Sequence, residues 1–195
     1  MRGYVLAMLV LLVLIQAGCA SRDMWPVERV DPDTAVHITV MAEPWIYALD
    51  DPMRAADARD YLNVAVVETN QMGTRAYWLN AVTWSTTVRT RPTDDRSTPP
   101  STIRLAWSGN QLELAPAADG RSTAGLSEPA FSVPAERLKE AWYPLSAADL
   151  ARLAARAPNV VSLVDEAGRV ETYAVWRVNA EAMSGFLKAT ESGPN

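Results

Sequence analysis

From Val36 onward the chain is built of short segments in which apolar and polar residues alternate. Val36, Ile38 and Val40 alternate with His37, Thr39 and Met41, the period of a half-buried strand. Pro44 interrupts it, and Trp45, Ile46 and Tyr47 read as a continuation after a bulge or on an edge. Residues 50–60 read as a loop or one short helix. Leu62, Val64 and Val66 then alternate, residues 70–73 (NQMG) supply turn chemistry, and residues 74–89 carry Trp78, Val82, Trp84 and Val88 on one face. These two segments predict an antiparallel hairpin. A second hairpin is predicted where Ile103, Leu105 and Trp107 lead through Ser108-Gly109-Asn110 to Leu112 and Leu114. Residues 91–101 (RPTDDRSTPPS) contain three prolines and no apolar side chain, which makes them a surface loop. Residues 115–128 read as another loop and 129–133 as a short edge strand.

The pattern changes in the last third. Ser146 with Asp149 three residues later has the form of a capping box with Asp in place of Glu or Gln. Leu150, Leu153, Ala154 and Ala157 then share one face of a helix that Pro158 stops. A hairpin follows, VVSLV and RVETYAVWRV around Asp165-Glu166-Ala167-Gly168, and Asn179 caps a last helix with Ala182, Met183, Phe186 and Leu187 on one face. The expected fold is α+β: a mostly antiparallel sheet or sandwich with a C-terminal helix-hairpin-helix unit packed against it.

The start of the chain follows a different rule. Arg2 precedes an unbroken apolar run of twelve residues, 4–15, and then Gln16-Ala17-Gly18-Cys19-Ala20-Ser21. That is the charged, apolar and small-residue order of a secretory signal peptide. The run is short for a membrane span, which needs about 20 apolar residues. The uncharged stretch from Gly3 to Ser21 leaves an uncleaved anchor in the inner membrane as the alternative. Ala17-Gly18-Cys19 after the leucine-rich run resembles the lipobox of bacterial lipoproteins, although Gln16 stands where that family usually has an apolar residue. The resemblance implies acylation of Cys19 and cleavage before it. It also implies export to the outer membrane, because the residue after the cysteine is Ala20 and not Asp. Residues 1–18 are then a signal peptide, 19–35 a lipidated tether, 36–190 a single periplasmic α+β domain and 191–195 a tail. The two or three palmitate-length chains that the resemblance implies would hold the protein on the membrane, since each buried CH₂ contributes about 0.8 kcal/mol.

Composition narrows the function. A net charge of −5 argues against nucleic acid as a partner. One cysteine cannot form a disulfide within the chain. His37 is the sole histidine and has no second imidazole or thiol near it in sequence, so no metal site is expected and it reads as an ordinary strand residue. No nucleophile elbow, SxxK pair or phosphate loop occurs, and no cofactor is expected. Asp50-Asp51, Asp94-Asp95 and Asp165-Glu166 fall in turns, where carboxylates stay solvated.

Tryptophan is the remaining anomaly, with seven in the chain. Those in strands read as core. Trp25 in the tether and Trp142 in AWYPL belong to no clear apolar period and are the candidates for an aromatic binding surface. The expected function is a membrane-anchored envelope lipoprotein that binds another envelope protein as a non-enzymatic accessory or assembly factor. The alternative is a glycan- or peptidoglycan-binding or hydrolysing module that uses surface Trp and Tyr with a carboxylate pair.

Overall fold

The structure is a computed structural model and describes residues 24–49, 59–86, 102–134 and 137–192. The signal peptide, Cys19, the loop of 91–101, nearly all of 50–60 and the last three residues lie outside this set. Among the described residues ten strands run β1 Val27–Val30, β2 His37–Val40, β3 Trp45–Leu49, β4 Asp60–Gln71, β5 Thr74–Ser85, β6 Thr102–Trp107, β7 Asn110–Leu114, β8 Arg137–Leu145, β9 Val160–Val164 and β10 Val170–Arg177. The same residues form two α-helices, α1 Ala147–Ala155 and α2 Ala180–Ser192. All the pairings are antiparallel, in one sheet curled into a half-barrel, and the class is α+β.

The hairpin of β4 and β5 is the spine. It pairs without a break from Asp60↔Ser85 to Gln71↔Thr74, and β8 extends it beyond β5. The other edge of β4 carries two strands end to end: β2 beside residues 67–70 and β3 beside 61–64. Val40 faces Val67 and Trp45 faces Val64, so β2 and β3 spend two more residues than β4 over the same stretch. This is the bulge that Pro44 predicts, and a bulge bends the strand that carries it. The sheet forks there. β1 pairs with β2 above the bulge, while β10, β9, β6 and β7 follow β3 in order below it.

Both faces of the spine are covered, which is why residues 62–69 are all buried. On one face Trp45, Tyr47, Leu62, Val64, Val66, Leu79 and Tyr143 pack with Leu150 and Leu153 of α1 and Met183 and Phe186 of α2. The Trp45 indole donates to the Asn179 carbonyl at 3.3 Å and the Tyr47 hydroxyl to the Pro158 carbonyl at 3.1 Å. The other face carries Ile38, Val40, Val67, Asn80 and Trp142, and residues 115–134 cross it as a strap with Ala124, Leu126 and Ala130 buried.

Asp31 fastens that strap. Its carboxylate accepts from the Ser127 hydroxyl at 2.7 Å, the Ser127 amide at 2.9 Å, the Glu128 amide at 3.2 Å and the Thr34 amide at 3.1 Å. Burial alone would push this carboxyl up, but the donors together hold it well below the usual aspartate range. A lowered folded value means that the carboxylate supports the fold above 3.8 and loses that support as pH falls through the folded value. Asp31→Ala is therefore expected to lower the thermal midpoint at neutral pH by about 5 °C or more and to flatten the acid limb of stability against pH. Melts that kept the wild-type acid limb would contradict this assignment.

Three expectations need correction. The helix-hairpin-helix unit does not exist as a unit. Helix, hairpin and helix do follow in sequence, with the capping box of Ser146 and Asp149 formed and Asn179 accepting from the Glu181 amide at 3.0 Å. The hairpin, however, lies inside the main sheet, where β10 pairs with β3 and β9 with β6. The edge strand expected at 129–133 is irregular chain in the strap; the real strand is β8, just after it. Val27–Val30 form a strand inside the stretch expected as tether, so any tether from Cys19 ends before β1.

Candidate functional site

The end of the spine at Asp60 carries an aromatic platform. Tyr61 and Trp84 are cross-strand partners and stack with ring centroids 4.5 Å apart and planes at 19°. The Trp84 indole donates to Asn63 Oδ1 at 2.9 Å, which fixes the ring from below. Tyr61 meets Trp176 edge to face at 5.9 Å, and the Arg59 guanidinium lies 4.6 Å from the Trp176 ring centroid. Trp176 reaches this place because β10 is bulged. Val175 faces Tyr47 and Arg177 faces Ile46, so Trp176 is the extra residue between two paired ones. A bulge re-aims the side chain it carries, and Trp176 stays 53% exposed beside the exposed Val175. Stacked and edge-on rings contribute about 0.5–1.5 kcal/mol beyond their area, and an exposed cation–π contact about 0.5–1 kcal/mol. The rings are therefore held in place before anything binds.

An open polar groove of about 480 Å³ lies between the strap and β8, bounded by Asp119, Arg121, Ser127, Glu140 and Trp142. Glu140 is one of its lining carboxylates. Its carboxylate is 3.1 Å from Arg121 and accepts from Asn80 Nδ2 and from the Trp142 indole, both at 3.2 Å. These donors commit the carboxylate to holding the strap on the sheet. It is a structural pillar more than a free acid or base.

A third polar cluster closes the opposite end of the spine. A cavity of about 30 Å³, the size of one water, is bounded by Glu28, His37, Glu68, Arg75 and Thr190 among others. Arg75 is 3.3 Å from Glu68 and donates to the Thr190 carbonyl at 2.5 Å, tying α2 to the sheet. Burial pushes the Glu68 carboxyl up, against the opposing pull of Arg75 and His37 and with a further push from Glu28. A raised folded value means that this group favours the fold most below 4.5 and progressively less as pH rises through the folded value. Glu68→Gln is expected to remove that decline from a stability curve measured above 4.5 while leaving the acid limb of Asp31 intact. A curve in which the decline persists would place its source elsewhere.

Of the residues singled out in the sequence, Cys19 lies outside the described set. Trp25 stands 69% exposed just before β1. Trp142 is contradicted: it is 0% exposed, packed edge to face on Trp78 at 6.5 Å. The sequence left it without a period because Trp142 faces the strap and Tyr143 faces the helices, and both faces of β8 are covered. His37 is a half-buried strand residue beside Glu68. Asp165 is a turn carboxylate that accepts from the Arg169 amide at 2.8 Å. No group of three or more metal-ligating side chains occurs among the described residues, and no helix among them is long and apolar enough to cross a membrane. Trp176, read with the other strand tryptophans as core, is corrected by its 53% exposure, and one signal in the sequence pointed that way. Tyr173 and Val175 keep the alternation of β10, and a tryptophan directly after Val175 breaks it. No protein-family model, curated protein or solved structure matches the chain.

Proposed function

We propose that this chain is an outer-membrane lipoprotein, anchored through Cys19 and facing the periplasm, whose domain is a non-enzymatic accessory factor that binds another envelope protein. The observation that carries the binding is the platform of Arg59, Tyr61, Trp84 and Trp176. Tryptophan, tyrosine and arginine are the side chains that most often dominate protein interfaces, and here a bulge holds one of them outward on a rigid backing. A glycan site would favour a groove with at least two exposed aromatics. The groove at Arg121 and Glu140 has its tryptophan buried, which supports a protein partner over a glycan.

The test is to crosslink intact envelopes carrying the wild type, Trp176→Ala or Arg59→Ala. Each variant is expected to lose about tenfold or more of the partner adduct while its unfolding free energy falls by no more than about 2 kcal/mol, the worth of the ring and cation–π contacts removed, so that the domain stays folded. Adduct yields equal to wild type would remove the platform from the interface.

A further inference from the structure

The chain enters the domain through a lightly held segment. Met24, Trp25 and Pro26 lead into β1, a strand of four residues at the rim of the sheet. Its inner edge pairs with β2 from Val27↔Val40 to Val30↔His37, and no strand among the described residues pairs with its outer edge. Trp25 is 69% exposed, Val27 52% and Val30 58%. The segment therefore gains little from apolar burial, which stabilises by about 25 cal/mol per Å² removed from water. The rest of its hold is polar. The Arg29 guanidinium lies 3.3 Å from Glu128 and donates to the Pro129 carbonyl at 2.6 Å, and an ion pair open to water contributes about 0–1 kcal/mol.

Gly185 shows that the fold is nonetheless shaped to receive this segment. It stands in the middle of α2, where glycine costs about 0.5–1 kcal/mol relative to alanine. The Met24 carbonyl lies against it so closely that a β-carbon at 185 would overlap the carbonyl oxygen. A residue that weakens the helix is thus matched to the crossing of the chain that comes from Cys19. Immediately after β1 the hold is of another kind. Asp31 is fully buried, its amide donates to the Val36 carbonyl at 2.8 Å, and its carboxylate fastens the strap. Local opening follows the weakest units of a fold, so an opening that begins at Met24 ends at Asp31.

We infer that residues 24–30 are a releasable part of the tether, a catch that sets how far the domain can stand from the membrane. The inference rests on the lipoprotein reading given above. With the segment docked, Met24 is five positions beyond Cys19, at most about 17 Å of extended chain. With it released, the domain begins at Asp31, twelve positions beyond Cys19, and the leash reaches about 40 Å. One folded core then has two working heights, and a partner beyond the short reach is met at the long one. The strand order permits the change. β1 is terminal, so its departure breaks pairing with β2 alone, and β2 keeps its pairing with β4.

The test uses the lipidated full chain in phosphatidylethanolamine vesicles with a minor phosphatidylglycerol fraction, as wild type, Gly185→Ala and Arg29→Ala. In the wild type, amide hydrogen exchange over residues 27–30 should be at least about tenfold faster than over residues 62–69 of the spine. Each variant should speed residues 27–30 several-fold further and leave the spine unchanged. In Gly185→Ala the amides of α2 should hold or slow, because alanine is the better helix former. A dye on Val170→Cys should transfer less energy to acceptor lipid in both variants, which reports the greater height. Protection of 27–30 equal to that of the spine would overturn the inference. So would α2 loosening together with 27–30, which would mark Gly185 as a packing residue only. Faster exchange with unchanged energy transfer would overturn the change of height and leave the anchor standing. Vesicles that float without the protein would overturn the anchor itself, and the leash with it.

Discussion

Trp142→Ala is expected to cost about 3–5 kcal/mol of stability, the range for removing a large buried aromatic. The indole is fully buried between β8 and the strap, touches Trp78, and donates to Glu140. The backbone at the same residue accepts from the Ala117 amide at 2.7 Å, which begins the strap. Alanine would open a cavity beneath residues 115–134 and leave the Glu140 carboxylate one donor short. Against a typical total of about 5–15 kcal/mol, such a loss leaves the domain marginal. Denaturant titration should show a lower midpoint with an unchanged slope. A loss below about 1 kcal/mol would mean that Trp142 is a surface residue after all. Trp176→Ala is the matched control: the same truncation at a half-exposed ring loses its edge-on contact with Tyr61 and the cation–π contact with Arg59, and is expected to cost about 1–2 kcal/mol, well short of the loss at Trp142.

Cys19→Ser is expected to move the protein from the membrane to the soluble fraction of the envelope. Acyl chains anchor through their buried methylenes, and one chain alone holds only marginally. Fractionation of envelopes carrying the two forms reads the result directly. Retention of Cys19→Ser in the membrane would instead identify the stretch from Gly3 to Ser21 as an uncleaved span, and the mature mass would then include it.

Where local chemistry dictates structure, the sequence is readable. The hairpin of β4 and β5, the turn at Gly109 with φ +82° and the turn from Asp165 to Gly168 all follow from alternation and turn residues. The capping box of α1 follows from two side chains three residues apart. The misreadings share a physical origin in long-range packing. β8 has apolar residues on both faces because helices cover one and the strap the other, so no alternation marks it. Its Pro144 lies next to the strand's end, where a missing N–H costs little. β1 is an edge strand with an exposed face and no apolar period. The hairpin of β9 and β10 is locally correct, but its outer edges pair with β3 and β6, at separations in sequence that no local pattern encodes. The candidate surface divides in the same way. The exposure of Trp25 was legible because its stretch lacks any apolar period. Trp176 was hidden, because its exposure depends on a bulge and on Tyr61 and Arg59 from another part of the chain.

The central claim is that the platform around Trp176 meets a protein in the envelope. The most direct measurement places a photo-crosslinking residue at Val175 in the platform and, separately, at Glu113 on the exposed side of β7, and irradiates intact cells. The account predicts one discrete protein adduct from position 175, absent from position 113 and lost when Trp176→Ala is combined with the probe. No protein adduct from 175, or equal adducts from 175 and 113, would contradict it.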